Sequence, residues 1–369
     1  MTRRVSLLMG VAILAVVLTH AASRGQIALI EWHAAYSTAD VGAAELLDTP
    51  AYWVLAVIRQ LTSFAVPAFL FCSGFFVSYA ARGPKGQFTW KMVRARLTDM
   101  LIPYVIWSIG WFVLDALDGT TYTPLEYVTR LLTGQADGGS YYFIPLVCQF
   151  YLLSPLIVPL ARSRPRLILA IAAALQIFNV TLVYLYAFGT QIPAAISWTT
   201  HLWLIFPWTF FFALGLVCGL HYERLKPWLQ RARRWLVAAL GVLAIAAILE
   251  PEALLRTTGH DARNVPVVAS TILYSIVFLL VFIAFEKLPL PRSNDITKAG
   301  NRSYGIYLTH LKVMEYVTRV IHVALPALLA YQILVIFPLA LVTGLVLPWA
   351  AMSLMIKSPL RKYYRYLFG

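Results

Sequence analysis

Four ionisable side chains stand inside otherwise apolar runs: His20, Arg59, His310 and Lys312. A charged group within hydrocarbon is costly, so such residues usually face a cavity or a partner. His20 and His310 carry imidazoles, and an ordinary imidazole pKa of about 6.5 suits proton abstraction near neutral pH. Arg59 carries a fixed positive charge of the kind that stabilises an oxyanion. Each has a plainer reading. A lone His in an apolar helix can simply hydrogen-bond a neighbouring helix, and Arg59 can snorkel to the nearer interface. His33, His221, His260 and His322 fall in loops or at interfaces, while His201 opens an apolar segment.

These residues need membrane spans to hold them. The chain has 369 residues, 60% hydrophobic and 12% charged, whereas a soluble domain carries about 25% charged residues. A span takes roughly 20 mostly apolar residues to cross about 30 Å of hydrocarbon. Ten segments qualify: 5–22, 53–81, 97–114, 143–161, 167–187, 200–220, 235–249, 267–285, 303–323 and 332–356. Pro67 predicts a kink in the long second segment. The expected fold is an all-α polytopic membrane protein of about ten transmembrane helices. It forms one domain over residues 1–369, with no appended soluble domain. Arg3, Arg4, an apolar run and Ala21-Ala22-Ser23 have the outline of a cleavable signal peptide, but His20 at the end of the run and the many spans that follow favour a retained first helix.

Charge gives the orientation. Of the 30 Lys and Arg residues, 23 fall at the two termini and in alternate loops, and five fall on the opposite side: Arg24, Arg130, Arg256, Arg263 and Arg319. Basic loops stay cytoplasmic, so both termini are expected inside. Eleven of the 16 acidic residues lie in the outer loops, among them Glu31, Asp40, Glu45, Asp48, Asp115 and Asp137. The net charge of +14 thus reflects topology and not nucleic-acid binding. Cys72, Cys148 and Cys218 sit in apolar runs without metal-site spacing and read as packing residues.

Depth then tests whether the polar residues can meet. His20 is 15 residues beyond the inner start of the first segment, or roughly 22 Å at 1.5 Å per residue. Arg59 is 6 residues below the outer start of the second, or roughly 9 Å. Both lie about two-thirds of the way across a core of about 30 Å. One cavity can hold them, with His310 nearer the midplane.

Several strings carry a resemblance. Gly10 to His20 reads GVAILAVVLTH, and Val66 to Phe75 reads VPAFLFCSGF. Arg94 and Arg96 precede Leu101-Ile-Pro-Tyr-Val-Ile-Trp107, and Tyr142 to Pro155 reads YFIPLVCQFYLLSP. Ser303 to His310 reads SYGIYLTH. In order and spacing these resemble the acyltransferase-3 family of membrane enzymes, which O-acylate sugars and other envelope molecules. The fourth string, with Tyr142 and Gln149, resembles the branch linked to exopolysaccharide modification. The chain departs from the family where a basic residue precedes the first-helix His, here Met9, with Ser6 in the acidic slot. It departs again at the second Arg of an Arg-x-x-Arg run, here Asp99.

The resemblance implies O-acyl transfer, most simply O-acetylation, from cytoplasmic acyl-CoA (acetyl-CoA) to a glycan or lipid-linked saccharide in the bacterial inner membrane. No bound cofactor or metal is expected. His20, Arg59 and His310 would be catalytic. Lys91, Arg94, Arg96 and Arg302 would meet the CoA phosphates. Tyr142, Gln149, Tyr151, Asn301, Ser303, Tyr304 and Tyr307 would bind substrate, with Asn301, Ser303 and Tyr304 open to a helix-capping role instead. The expected partners are the lipid bilayer, the two substrates and polysaccharide-synthesis machinery. The alternatives are a glycan transporter or flippase using the same cavity without chemistry, and a structural subunit of a polysaccharide synthase.

Overall fold

The computed structural model describes residues 2–39, 41–82, 88–261, 267–289 and 291–369. Asp40, Arg263 and the 83–87 stretch of the first basic loop lie outside the described residues. Among the described residues the chain is all helix and turn, without strands. The helices are α1 (Thr2–Ile30), α2 (Ala43–Leu46), α3 (Pro50–Leu61), α4 (Ala65–Ala80), α5 (Trp90–Leu117), α6 (Pro124–Thr133), α7 (Phe143–Ser163) and α8 (Pro165–Ala187). They continue with α9 (Ala194–Ser197), α10 (Thr209–Thr258), α11 (Ala269–Ala284), α12 (Ser293–Asn301), α13 (Ser303–Ala324), α14 (Phe337–Lys357) and α15 (Tyr364–Phe368).

Seven described stretches are long and apolar enough to cross a membrane: Arg3–Ile30, Pro50–Ala80, Trp90–Leu117, Phe143–Ser163, Pro165–Ala187, Phe206–Thr258 and Gln332–Lys357. The remaining expected spans are present in other guises. Phe206–Thr258 contains two of them end to end, and α11 is apolar but only 16 residues long. The α13 helix has the length of a span but carries Lys312, Glu315 and Arg319. The protein is therefore an all-α polytopic membrane protein.

Among the segment boundaries that differ from expectation, four have a plain physical reason. The first helix does not stop at residue 22. It runs to Ile30, because Arg24 and Gln26 are accommodated within the bundle, facing Glu315 at 3.9 Å and Arg59 respectively. The second segment is interrupted outright at 62–64, three residues before Pro67, whose missing N–H leaves the preceding turn unsupported. The Thr62 hydroxyl caps the break by bonding the Ile58 carbonyl at 2.7 Å. The third begins at Trp90, so Lys91, Arg94 and Arg96 are helical residues and not loop residues. The expected loop 221–234 is also helix: α10 departs from helical dihedrals only at His221 (φ −120°, ψ 25°). A run rich in Leu, Arg, Lys and Gln favours helix and contains no turn signal beyond Pro227.

The α1 helix is central and packs on α3, α4, α12, α13 and α14. Its contact with α12 is very close. A Cβ on Gly10 would lie 2.0 Å from the Ile296 carbonyl oxygen, and one on Gly300 would lie 2.7 Å from that of Ser6. Only glycine lets these backbones touch, as in other tight membrane-helix crossings.

The described contacts gather the loops into two ends. At the basic end Arg3 bonds Asn294 at 3.1 Å, Arg162 bonds the Ala81 carbonyl at 3.0 Å, and Lys226 pairs with Glu286 at 3.0 Å. At the opposite end Trp32 stacks on His322 at 4.6 Å and Arg256 pairs with Asp48 at 2.9 Å. The alternation read from charge is thus a spatial one.

Candidate functional site

A cavity of about 850 Å³ opens among α1, α3, α4, α5, α7 and α13. Each helix contributes one face. On α1 the lining residues include Met9, Val16, His20 and Ser23, whose spacing of seven, four and three puts them on one stripe. On α4 they are Val66, Phe69, Ser73 and Phe76, with Cys72 beside them, and on α13 Ser303, Tyr304, Tyr307 and Leu311. The break between α3 and α4 adds Thr62 and Ser63, next to Arg59. The Thr19 and Thr62 hydroxyls lie 2.6 Å apart and fasten α1 to this break. The lining continues to Arg96, Asp99, Asn301 and Phe368 at the basic end, and to Arg24 and the Gly138-Gly139-Ser140 loop at the other.

His20 and Arg59 therefore share one cavity, as their depths allow. Arg59 does not snorkel: it is 6% exposed and donates to the Gln26 side-chain oxygen on α1. His310 does not line the cavity. It is fully buried behind His20, with ring centroids 5.2 Å apart. Lys312 lies off the cavity as well. Its ammonium sits 3.2 Å from Asp115 and 3.5 Å from Glu315, so its buried charge is neutralised between α5 and α13.

The expected binding residues divide. Arg96, Tyr142, Tyr151, Asn301, Ser303, Tyr304 and Tyr307 all line the cavity. Arg94 does not, because two residues along a helix turn the side chain by about 200°. It lies on the far side of α5, in an open apolar groove with Trp90, Leu97 and Leu101. Lys91 is exposed and lines neither. Gln149 is structural, donating to the Trp203 carbonyl at 2.7 Å and the Pro145 carbonyl at 3.1 Å. Arg302 bonds the Ser353 hydroxyl at 2.6 Å and lies over the Trp349 ring, away from the cavity. Met9 and Asp99, the two departures from the family pattern, both face the cavity, and Asp99 is paired with Arg365 of α15.

Sequence reasoning did not reach Ser23, Arg24 or the 138–140 loop. Asp137, counted as an outer acidic residue, is 1% exposed and organises that loop. Its carboxylate accepts the backbone N–H groups of Gly139, Ser140 and Tyr141 at 3.1, 3.0 and 3.1 Å, together with the Ser140 hydroxyl. Burial pushes this carboxyl above its usual range, while the four bonds pull the other way. Gly138 and Gly139 adopt φ of 96° and 120°, a backbone that L side chains rarely take, and nothing stands within 4 Å of their missing Cβ positions. The loop is fixed to α13 by the Tyr307 hydroxyl, which donates to the Ser140 carbonyl at 2.6 Å. The one local signal was the Asp-Gly-Gly triplet, which reads as a turn but not as a cavity wall.

Chemically, the cavity offers an imidazole with a guanidinium at similar depth, a second guanidinium at each end, and aromatic walls. Comparison with known proteins fits this inventory. The family described as "Acyltransferase domain" matches residues 4–353. Among curated proteins, the "Probable poly-beta-1,6-N-acetyl-D-glucosamine export protein" of Staphylococcus aureus strain MRSA252 is 25% identical over 303 residues, covering 79% of this chain and 81% of that one. The protein of the same name from strain MSSA476 matches with the same identity and coverage. No solved structure matches.

Proposed function

The chain belongs to the acyltransferase-3 family and is a multi-pass membrane acyltransferase, and from that premise we propose that it moves an acyl group, acetyl in the simplest case, from acyl-CoA to a hydroxyl of an envelope polysaccharide. The observation that carries this reading is His20 on the wall of a cavity whose lining runs from Arg96 at the basic end to Arg24 at the other. The basic end is taken as cytoplasmic, since Lys and Arg are retained there, and the membrane as the bacterial inner membrane. Acyl-CoA then enters beside Arg96 and Asn301, and the acceptor enters beside Ser23, Arg24 and the 138–140 loop. The relatives' names, which concern an N-acetylglucosamine polymer, support a polysaccharide acceptor. Polysaccharide-synthesis machinery would supply it.

In the proposed reaction the His20 imidazole takes the proton of the acceptor hydroxyl. The oxygen attacks the thioester carbonyl, forming the new C–O bond, and Arg59 faces the negative charge that develops on the carbonyl oxygen. Collapse breaks the C–S bond, and the proton held by His20 passes to the departing thiolate. The products are the O-acyl sugar and free CoA thiol, with no external oxidant or reductant required.

The names of the relatives favour one other reading, in which the same cavity exports glycan without chemistry. His20→Ala separates the two. On the acyltransferase reading, cells carrying it export polymer at the normal level but with the ester acyl content reduced at least 100-fold. Failed export with unchanged acyl content per sugar would establish the export reading instead.

A further inference from the structure

His310 lies behind the cavity wall, and its two ring nitrogens have different surroundings. Nδ1 is 3.0 Å from the Ile306 carbonyl oxygen and 2.9 Å from that of Tyr307. Carbonyl oxygens only accept, so in the neutral ring the proton resides on Nδ1 and Nε2 is an acceptor. That Nε2 is buried without a hydrogen-bond partner among the described residues. A buried acceptor left in this condition is costly, and native folds keep few of them. The ring against it is His20, with centroids 5.2 Å apart and planes at 53°. This separation is within reach of one N–H···N bond of ordinary length between two imidazoles. The charged groups acting on His20 from its surroundings are Arg24 on α1 and Arg59 on α3, and a guanidinium has no acceptor to offer. The neighbouring Tyr307 ring, 6.2 Å from His310, has its hydroxyl committed to the Ser140 carbonyl.

We propose that His310 is a positioning residue for His20, an inference that rests on reading His20 as the base. An N–H of His20 donates to His310 Nε2, completed by a turn of the His20 ring of the kind that tightens catalytic hydrogen bonds in a Michaelis complex. This fixes the tautomer of His20 and directs its unprotonated nitrogen into the cavity. The proton from the acceptor hydroxyl goes to that nitrogen, and the N–H shared with His310 stays where it was. The backbone carbonyls of Ile306 and Tyr307 thus set, through His310, which nitrogen of His20 acts as base.

The test uses the full chain labelled with ¹⁵N-histidine in lipid nanodiscs, with His20→Ala identifying the His20 signals. In His310→Gln the amide oxygen reaches the place of Nε2. In His310→Asn the amide keeps the backbone contacts of Nδ1 but stops short of it. A single neutral tautomer of His20 is expected in the wild type and His310→Gln, and a mixture of both tautomers in His310→Asn. With [¹⁴C]acetyl-CoA as donor and β-1,6-linked N-acetylglucosamine oligosaccharide as acceptor, kcat should fall about 10- to 100-fold in His310→Asn at unchanged KM for donor. His310→Gln should recover most of that loss. An unchanged His20 tautomer in His310→Asn overturns the proposal, as does equal loss of kcat in both variants. Transfer that survives His20→Ala would instead refute His20 as the base, whatever the spectra show.

Discussion

The cavity wall carries Arg59 near His20 and Arg24 a turn of α1 further towards the end opposite the basic one, and the two are held differently. Arg24 faces Glu315 at 3.9 Å, whereas Arg59 lines the cavity beside the Gln26 side-chain oxygen, to which it donates. Arg59→Met is therefore expected to lower kcat about 100- to 1,000-fold with little change in donor KM, measured as label transferred from acetyl-CoA. Arg59→Lys should not restore it, because a point ammonium cannot serve Gln26 and an oxyanion together. Lys312 behaves oppositely. Its ammonium bridges Asp115 and Glu315, and Lys312→Met leaves the half-buried Asp115 carboxylate without its cation, while Glu315 keeps Arg319 at 3.0 Å. A loss of about 3–5 kcal/mol is expected, read as a lower thermal midpoint in detergent, with the surviving protein still active. Depth arithmetic allowed His20 and Arg59 a shared cavity in advance, and the structure places both on its wall. The arithmetic could not place His310 behind the wall, or set Lys312 aside, because both depend on partners far away in sequence.

The elements were legible where apolar length decides them and illegible where polar residues find partners inside. The α8 and α13 helices start and stop within a few residues of expectation, α8 because its bounds coincide with the ends of an apolar run and α13 because Pro326 disfavours helix at Leu325. The α1 helix outruns its apolar stretch by a turn and more, since Arg24 faces Glu315 and the Gln26 oxygen accepts from Arg59. The helical basic stretch of α10 was hidden for a related reason, as charge marks the membrane boundary but not the end of a helix. The 138–140 loop was out of reach because it is held by Asp137 and by Tyr307 of a distant helix. Asp137→Ala removes the shared acceptor of three backbone N–H groups and should cost about 1–3 kcal/mol. Its signature is a raised acceptor KM at unchanged donor KM, since only the wall opposite the basic end loosens. Asp137→Asn, which keeps one acceptor oxygen, should be milder in both readouts.

For the whole molecule, acyl transfer across the membrane needs a cavity reached from both ends and a fixed orientation. Orientation is open to a simple check. Ser163, at the α7–α8 junction near Arg162, and Thr190, beyond α8, are both exposed and lie at opposite ends of the same hairpin. In the natural-thiol background, where the three cysteines are buried, a membrane-impermeant maleimide should label Thr190→Cys in intact cells and Ser163→Cys only in inverted vesicles. The reverse pattern would turn the donor and acceptor ends around. The central claim, that acyl groups pass from one side to a hydroxyl on the other at His20, is tested most directly in proteoliposomes. [¹⁴C]acetyl-CoA is supplied only at the basic end and β-1,6-linked N-acetylglucosamine oligosaccharide only at the other. Labelled oligosaccharide is expected with the wild type, and at least 100-fold less with His20→Ala. Equal labelling by the two proteins, or labelling only when donor and acceptor share a side, would contradict it.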